Sequence, residues 1–337
     1  MTSLPLEGGT SCATLCNKKL RIFLRTYTEF HGGPQRTTED LIMKSYILNI
    51  AGYNIRIETS DSVLDFVPAE RFRNFAAGSE DTGLLIRVYS GKMVLPAEAK
   101  RVFHAPYIEE KNGIKIERSP EFWSIWKYNQ DLFIETFFPL SAEQEKAVLK
   151  FSLDSMEWDL WIDSGSNSID PLEYPLDGLV LYYLTVIHGD IMIHSSGVSI
   201  GNEGYLFSGV SGKGKTTMAG FWHNAGAKVI HDDRLILRKT NEGYMMHNTP
   251  VYNNEEPKEC LLSRIFIIEH GLENRLIPLK ESNAVSLVMT NCIQHNWWPD
   301  IIATLLDSVS DMCSRVRVSR LAFRPDSSII DYILDHE

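Results

Sequence analysis

Cysteine is scarce: five in 337 residues, at Cys12, Cys16, Cys260, Cys292 and Cys313. The odd count and scattered spacing argue against a disulfide framework and for a reducing compartment. Only Cys12 and Cys16 lie close together. No second Cys/His pair at zinc spacing follows them, so they read as incidental thiols. Positive charge is also short, with 33 basic against 44 acidic residues and a net charge of −11. A general nucleic-acid binder needs a cationic surface that displaces counterions, so that class is set aside, though a local cationic pocket is not. No apolar run reaches the roughly 18 residues that cross a bilayer. The longest, 178–187, runs into His188 and Asp190, and no membrane insertion is expected. No cationic head leads into a clean apolar core, so the reading is cytoplasmic, without a secretory signal.

The chain does not lack the means to build a core. It is 44% hydrophobic, 10% aromatic and 23% charged, which is ordinary for globular proteins and excludes fibrous or wholly disordered classes. Its length implies roughly two domains. Residues 1–40 read as an N-terminal extension, partly disordered or forming an edge strand over 20–25. From 41 to about 165, short β-rich runs recur between turn residues: 45–50, 53–58, 84–89, 113–117, 122–126 and 132–137. This pattern predicts a mainly antiparallel β domain. Residues 70–75 fit a short helix or an irregular turn. Trp123, Trp126, Trp158 and Trp161 suit core packing better than an aromatic ligand platform. The polar stretch 164–168 marks the boundary. Beyond it a buried helix enters after Pro175, and then strands and helices alternate over 168–337.

The most informative segment is Gly209-Val-Ser-Gly-Lys-Gly214-Lys215-Thr216-Thr217. It matches G-x-x-x-x-G-K-[ST] in full, which a random chain of this length would do roughly one time in 100. A strand-like run precedes it and a helix-like run follows, as the motif requires. Glycines let successive N–H groups turn inward toward phosphate oxygens, and the following helix adds the positive end of its dipole. Gly209, Ser211, Gly212, Lys213, Gly214, Lys215, Thr216 and Thr217 are therefore the expected nucleotide-binding residues. Lys215 would be a solvent-facing charge for the β- and γ-phosphates. Thr216 would offer its hydroxyl to Mg²⁺.

Such a loop needs a carboxylate near the metal, normally at the end of a neighbouring strand. Asp232 and Asp233 follow Val229 and Ile230, which read as that strand. Upstream, His194 sits in a strand-like run, 191–200. Alone it reads as a packed core histidine, and His188, His223, His231 and His247 have no better individual claim.

The order His194, then the loop at Gly209, then Asp232-Asp233 resembles the catalytic domain of HPr kinase/phosphorylase. Wider relatives of that family are the ATP-dependent phosphoenolpyruvate carboxykinases and the serine-kinase-like proteins of peptide-modification gene clusters. The likeness spans about residues 170–330. Ser211 and Gly212 fit the family's G-x-S-G-x-G-K-[ST] loop, and His247-Asn-Thr-Pro250 resembles the Thr-Pro loop of the peptide-cluster relatives.

The resemblance implies an α/β P-loop kinase domain over 168–337; the β domain before it does not look like the amino-terminal domain of the well-known HPr kinases and is read as an accessory or substrate-recognition domain. It implies ATP and Mg²⁺ as cofactors. It makes Asp232 the general base, His194 its neighbour and tuner, and Asp233 a metal or ordering group beside Thr216. Lys215 would act on the phosphates. The family's glycine-rich signature after the acid pair is absent. In its place stands 249–257 with Glu255 and Glu256, read as a solvated acidic loop or a second metal contact. The expected partner is a protein or peptide with an acceptor hydroxyl. The acceptor's identity, ATP against GTP, a reverse phosphorylase reaction and homo-oligomerisation stay open. A nucleotide-binding regulatory or assembly module is the alternative, and a carboxykinase acting on a small keto acid is a minor one.

Overall fold

A computed structural model describes residues 44–78, 83–111, 114–139, 145–210 and 212–336, with backbone alone at 109–111, 114–115 and 281. The 1–40 extension and its 20–25 run lie outside the described residues. The chain folds as mixed α/β around two large sheets.

The first ten strands are β1 (Ser45–Ile50), β2 (Tyr53–Glu58), β3 (Asp65–Phe66), β4 (Leu84–Ser90), β5 (Lys100–Lys111), β6 (Ile114–Tyr128), β7 (Asp131–Phe137), β8 (Lys146–Phe151), β9 (Glu157–Asp163) and β10 (Ser168–Ile169). Eight of them form one sheet in the order β1-β2-β4-β9-β8-β7-β6-β5. Pairing is antiparallel except at β2–β4 and β4–β9, which are parallel. Alternation of apolar and polar residues places Leu84, Ile86 and Val88 on the inner face. In β9 it does the same for Trp158, Leu160 and Ile162.

Within the described residues, 114–117 and 122–126 of the two expected runs belong to one long strand, β6, despite Pro120 between them. Register shifts against β5 fall at Ala105/Tyr107, opposite Ser119 and Trp123. Pro106 and Pro120 sit in that irregularity, where no ladder N–H is demanded. Residues Glu70–Phe75 form a 3₁₀ helix. Of the four tryptophans, Trp158 is fully buried. Trp161 stacks on Tyr89 at 5.2 Å, and Trp126 donates to Glu135.

Helix α1 (Leu176–His188) follows and ends at Gly189, whose φ of +67° gives the left-handed cap that glycine adopts freely. It is apolar on most sides, as a helix buried all round must be. Its Leu179, Val180, Tyr183 and Leu184 join the apolar core of the first sheet, as do Met192, Ile236 and Ile301.

The second sheet contains β11 (Ile191–Ile200), β12 (Glu203–Ser208), β13 (Lys228–Lys239), β14 (Tyr244–Asn248), β15 (Glu259–His270), β16 (Arg275–Pro278) and β17 (Arg317–Phe323). Its order is β12-β11-β13-β14-β15-β17-β16, and β12 also pairs with β15, closing a ring of strands. The run β12, β15, β17 is parallel. Helices α2 (Lys215–Asn224) and α5 (Ser328–Asp335) cover one face through Met218, Trp222, Ile329 and Ile333. Helices α3 (Glu281–Met289) and α4 (Pro299–Arg315) cover the other through Val288, Val309 and Met312. Among the described residues no helix is long and apolar enough to cross a membrane.

Candidate phosphate-binding site

β12 is buried from Gly204 to Ser208 and delivers the chain into the loop 209–214 at the carboxyl end of the parallel strands. Loops at this end of an α/β sheet are where such folds bind ligands. Gly212 and Gly214 have φ of +82° and +90°, which L side chains rarely adopt. At Gly214 space is short as well. A Cβ there would stand 2.9 Å from Phe323 Cζ and 3.3 Å from His270 Cε1. Ser211 lies outside the described residues. Lys213 and Thr217 are exposed, and the Lys213 amide donates to the Val210 carbonyl.

Lys215 is the first residue of α2, and it does not face solvent. It is 9% exposed and its Nζ donates to the Gly209 carbonyl at 2.6 Å. An ammonium tethered within a compact loop finds the nearest carbonyl in place of water. Burial lowers its pKa, and the nearby Asp232 and Asp233 charges oppose that shift.

The acid pair sits inside β13, not at its end. The ladder to β11 sets Ser196 opposite Asp232, Ser195 opposite Asp233 and His194 opposite Arg234. A register shift at Gly197/Val198 lies immediately beside them. Such a bulge re-aims side chains within a strand, so the strand continues past the carboxylates while still presenting them.

Ser196 Oγ donates to Asp232 Oδ1, and the Thr216 hydroxyl also bonds Asp232. Burial raises the Asp232 pKa. The two hydroxyl hydrogen bonds and the His231 charge act against that, and the Asp233 charge adds to it. Burial would raise Asp233 too. There the His194 hydrogen bond and the Arg234, His194 and His231 charges prevail, and the carboxyl falls to about 2. The His194 Nδ1 stands 3.0 Å from Asp233 Oδ1, and Arg234 Nε stands 3.5 Å from Asp233 Oδ2. His194 therefore touches the second acid, whereas the sequence expectation placed it beside the first.

Glu255 faces inward rather than into solvent. Its Oε1 lies 3.3 Å from His231 Nδ1 and 3.4 Å from Lys258 Nζ. Thr249 of the Thr-Pro loop donates to the Arg234 carbonyl and so steadies β13 behind the acids. His247 pairs with Glu259, away from the site.

Several neighbours carry no sequence signal of their own. The His270 Nε2 stands 3.2 Å from the Gly212 carbonyl oxygen. Burial pushes the Tyr174 phenol up to about 12, opposed by Arg234 and assisted by Asp177, Tyr107 and Asp233. Burial also raises Tyr252, with Asp233, Asp232 and Glu255 adding to it. Ser196 was within reach of sequence reasoning, because it lies two residues after His194 on the same strand.

Among the described residues no group of three or more His, Cys, Asp or Glu side chains is poised as a metal cage. Thr216, Asp232 and Asp233 offer only hard oxygen donors. Mg²⁺ is ordinarily held by one or two carboxylates together with substrate phosphates, and this donor set fits it.

No family model and no curated protein matches the chain. An HPr(Ser) kinase/phosphatase from Coxiella burnetii aligns over 43% of this chain and 95% of its own, at 12% identity and a TM-score of 0.26. A score that low establishes neither a shared fold nor a shared activity.

Proposed function

We propose that the chain is a P-loop kinase that uses ATP and Mg²⁺ to phosphorylate a hydroxyl, that of a serine in a protein or peptide. The observation that carries this reading is the meeting of Thr216, at the head of α2, with Asp232 inside β13. It brings a phosphate loop and an acid pair into one site from segments on different elements.

The loop amides and Lys215 bind the phosphates, with Lys215 exchanging the Gly209 carbonyl for a phosphate oxygen. Thr216 and Asp233 would hold Mg²⁺ next to Asp232, and the ion supplies charge neutralisation on the transferred group. Asp232 takes the proton of the acceptor hydroxyl as its oxygen bonds to the γ-phosphorus and the bond to the leaving diphosphate breaks. His194 and Arg234 keep Asp233 ionised. The β-rich first half would recognise the acceptor, reaching the site through Tyr174, which packs on Phe122 at 5.4 Å.

The test is single-turnover transfer from γ-labelled ATP across pH and Mg²⁺ concentration. Asp232→Asn should lose roughly 100- to 10,000-fold, because an amide cannot take the proton. Through the Thr216 contact it should also lose part of its Mg²⁺ affinity. Asp233→Asn should chiefly raise the Mg²⁺ requirement. His194→Ala should do the same more weakly, because it acts through Asp233. Equal, modest losses in all three, tracking ATP affinity, would make the chain a nucleotide-binding module without transfer.

A further inference from the structure

Gly178 lies in the first turn of α1 (Leu176–His188), where the helix itself has no need of glycine. Its φ is not in the left-handed region. Within a helix glycine is less favourable than alanine, because it gives up more backbone freedom and packs no side chain. The surroundings supply the reason for it. A Cβ at 178 would stand 2.5 Å from Arg234 Nη1 and 3.7 Å from Arg234 Cζ. Among the described residues no other heavy atom comes within 4 Å, apart from its chain neighbours and its own helix backbone.

The Arg234 guanidinium thus lies where a side chain at 178 would begin. From there its Nε reaches to 3.5 Å from Asp233 Oδ2. The other oxygen, Oδ1, is held by His194 Nδ1 at 3.0 Å. Both carboxylate oxygens are therefore engaged, and one engagement rests against the bare backbone of α1. The residues around Gly178 decide where that backbone stands. Leu176, Leu179 and Val180 are buried in the apolar core of the first sheet. Arg234 and Asp233 belong to β13 in the second sheet. The core of the first half of the chain thereby fixes the seat of a side chain in the candidate site.

We propose that Gly178 is a positioning residue: it seats the Arg234 guanidinium, which orients the Asp233 carboxylate for Mg²⁺. The proposal rests on the kinase reading for the role of Asp233. Partners that hold a metal-binding group typically set metal affinity by roughly 10- to 100-fold. A methyl group at 178 meets only the far end of a flexible side chain. Arg234 can swing clear with little cost to the fold, but it then leaves Asp233.

The test follows binding of a non-hydrolysable ATP analogue to the full chain as Mg²⁺ concentration rises, together with thermal unfolding of the free protein. Gly178→Ala should melt no lower than the parent, since alanine is the better helix residue. Its Mg²⁺ midpoint should rise roughly tenfold. Arg234→Ala should raise the midpoint likewise, and adding Gly178→Ala to it should raise it no further. Arg234→Lys, which lacks the guanidinium that meets Gly178, serves as the background if Arg234→Ala fails to fold. An unchanged midpoint in Gly178→Ala overturns the proposal. So does a rise of equal size in the Arg234 background, or one accompanied by a lower melting temperature. A parent that binds the analogue with Mg²⁺ yet transfers no phosphoryl group overturns the kinase reading alone, because the midpoint is read from binding. A parent whose analogue binding ignores Mg²⁺ overturns both.

Discussion

Asp232 and Asp233 are neighbours in the chain, yet their proton affinities are pushed in opposite directions. Both are partly buried, and burial raises both. Only Asp233 faces His194 and Arg234 closely enough to reverse the effect. Its folded pKa of about 2 lies below the ordinary 3.8. The fold therefore favours its ionised form, and this stabilisation is present above pH 4 and lost as pH falls toward 2. Between neutrality and pH 2, Asp233→Asn should lose roughly 2 kcal/mol less stability than the parent, so its urea midpoint should fall less over that interval. Urea midpoints measured between pH 2 and 6 check this. Gly214 is a second position where one atom matters. Gly214→Ala combines a left-handed backbone with contact against Phe323. A loss of roughly 1–2 kcal/mol is expected from the backbone alone, with more where the ring must move. Equilibrium unfolding of the variant gives the number, and an unchanged midpoint would contradict the loop geometry.

At the scale of elements, the segment between β10 and α1 carries acids that the fold holds awkwardly. Burial lifts Asp170 to about 6, opposed by Arg71 and by the amides of Leu172 and Ala69. Burial lifts Glu173 to about 7, with Asp170 and Glu145 adding charge and Arg71 opposing. A carboxyl whose folded pKa is raised favours the native state only while protonated. Its contribution is full below the ordinary value near 4.5 and is lost as pH rises through about 7. Glu173→Gln should therefore melt at a higher temperature than the parent at pH 8 and show no advantage at pH 4. A thermal scan at the two pH values decides it, and an equal shift at both would point to packing instead. The same reasoning explains why β13 could not be delimited from its sequence. Two adjacent aspartates are poor strand formers, but the hydroxyls of Ser196 and Thr216 and the His194 contact satisfy them inside the ladder.

At the scale of the whole molecule, the two sheets are joined by shared burial. Helix α1 lies after the 164–168 boundary in sequence but gives its apolar side chains to the first sheet's core. A polar latch reinforces the junction. Asp190 accepts from Tyr53 at 2.6 Å and from Arg238 at 2.9 Å, and Arg238 also donates to the Ala51 carbonyl. A fragment beginning at 168 would expose Leu179, Val180, Tyr183 and Leu184, and fully burying each such side chain is worth about 1.5–3 kcal/mol. That fragment should aggregate or unfold, whereas co-expression with 41–165 should recover soluble material. Size-exclusion chromatography of both preparations checks it, and a monomeric, cooperatively folding 168–337 fragment would show that the shared core is dispensable.

From its sequence alone the chain reads as a globular α/β protein with a glycine-rich loop of the G-x-x-x-x-G-K-[ST] pattern between a strand and a helix, because glycine spacing and apolar periodicity are local signals. The strands 45–50, 53–58 and 84–89 and the helix after Pro175 were legible for the same reason. What the tertiary structure decided is which distant groups meet. Thr216 on Asp232, His194 on Asp233 and Arg264 beside Arg317 all depend on strand register and crossover. Register is set by how whole faces bury against one another, and no single segment contains that information.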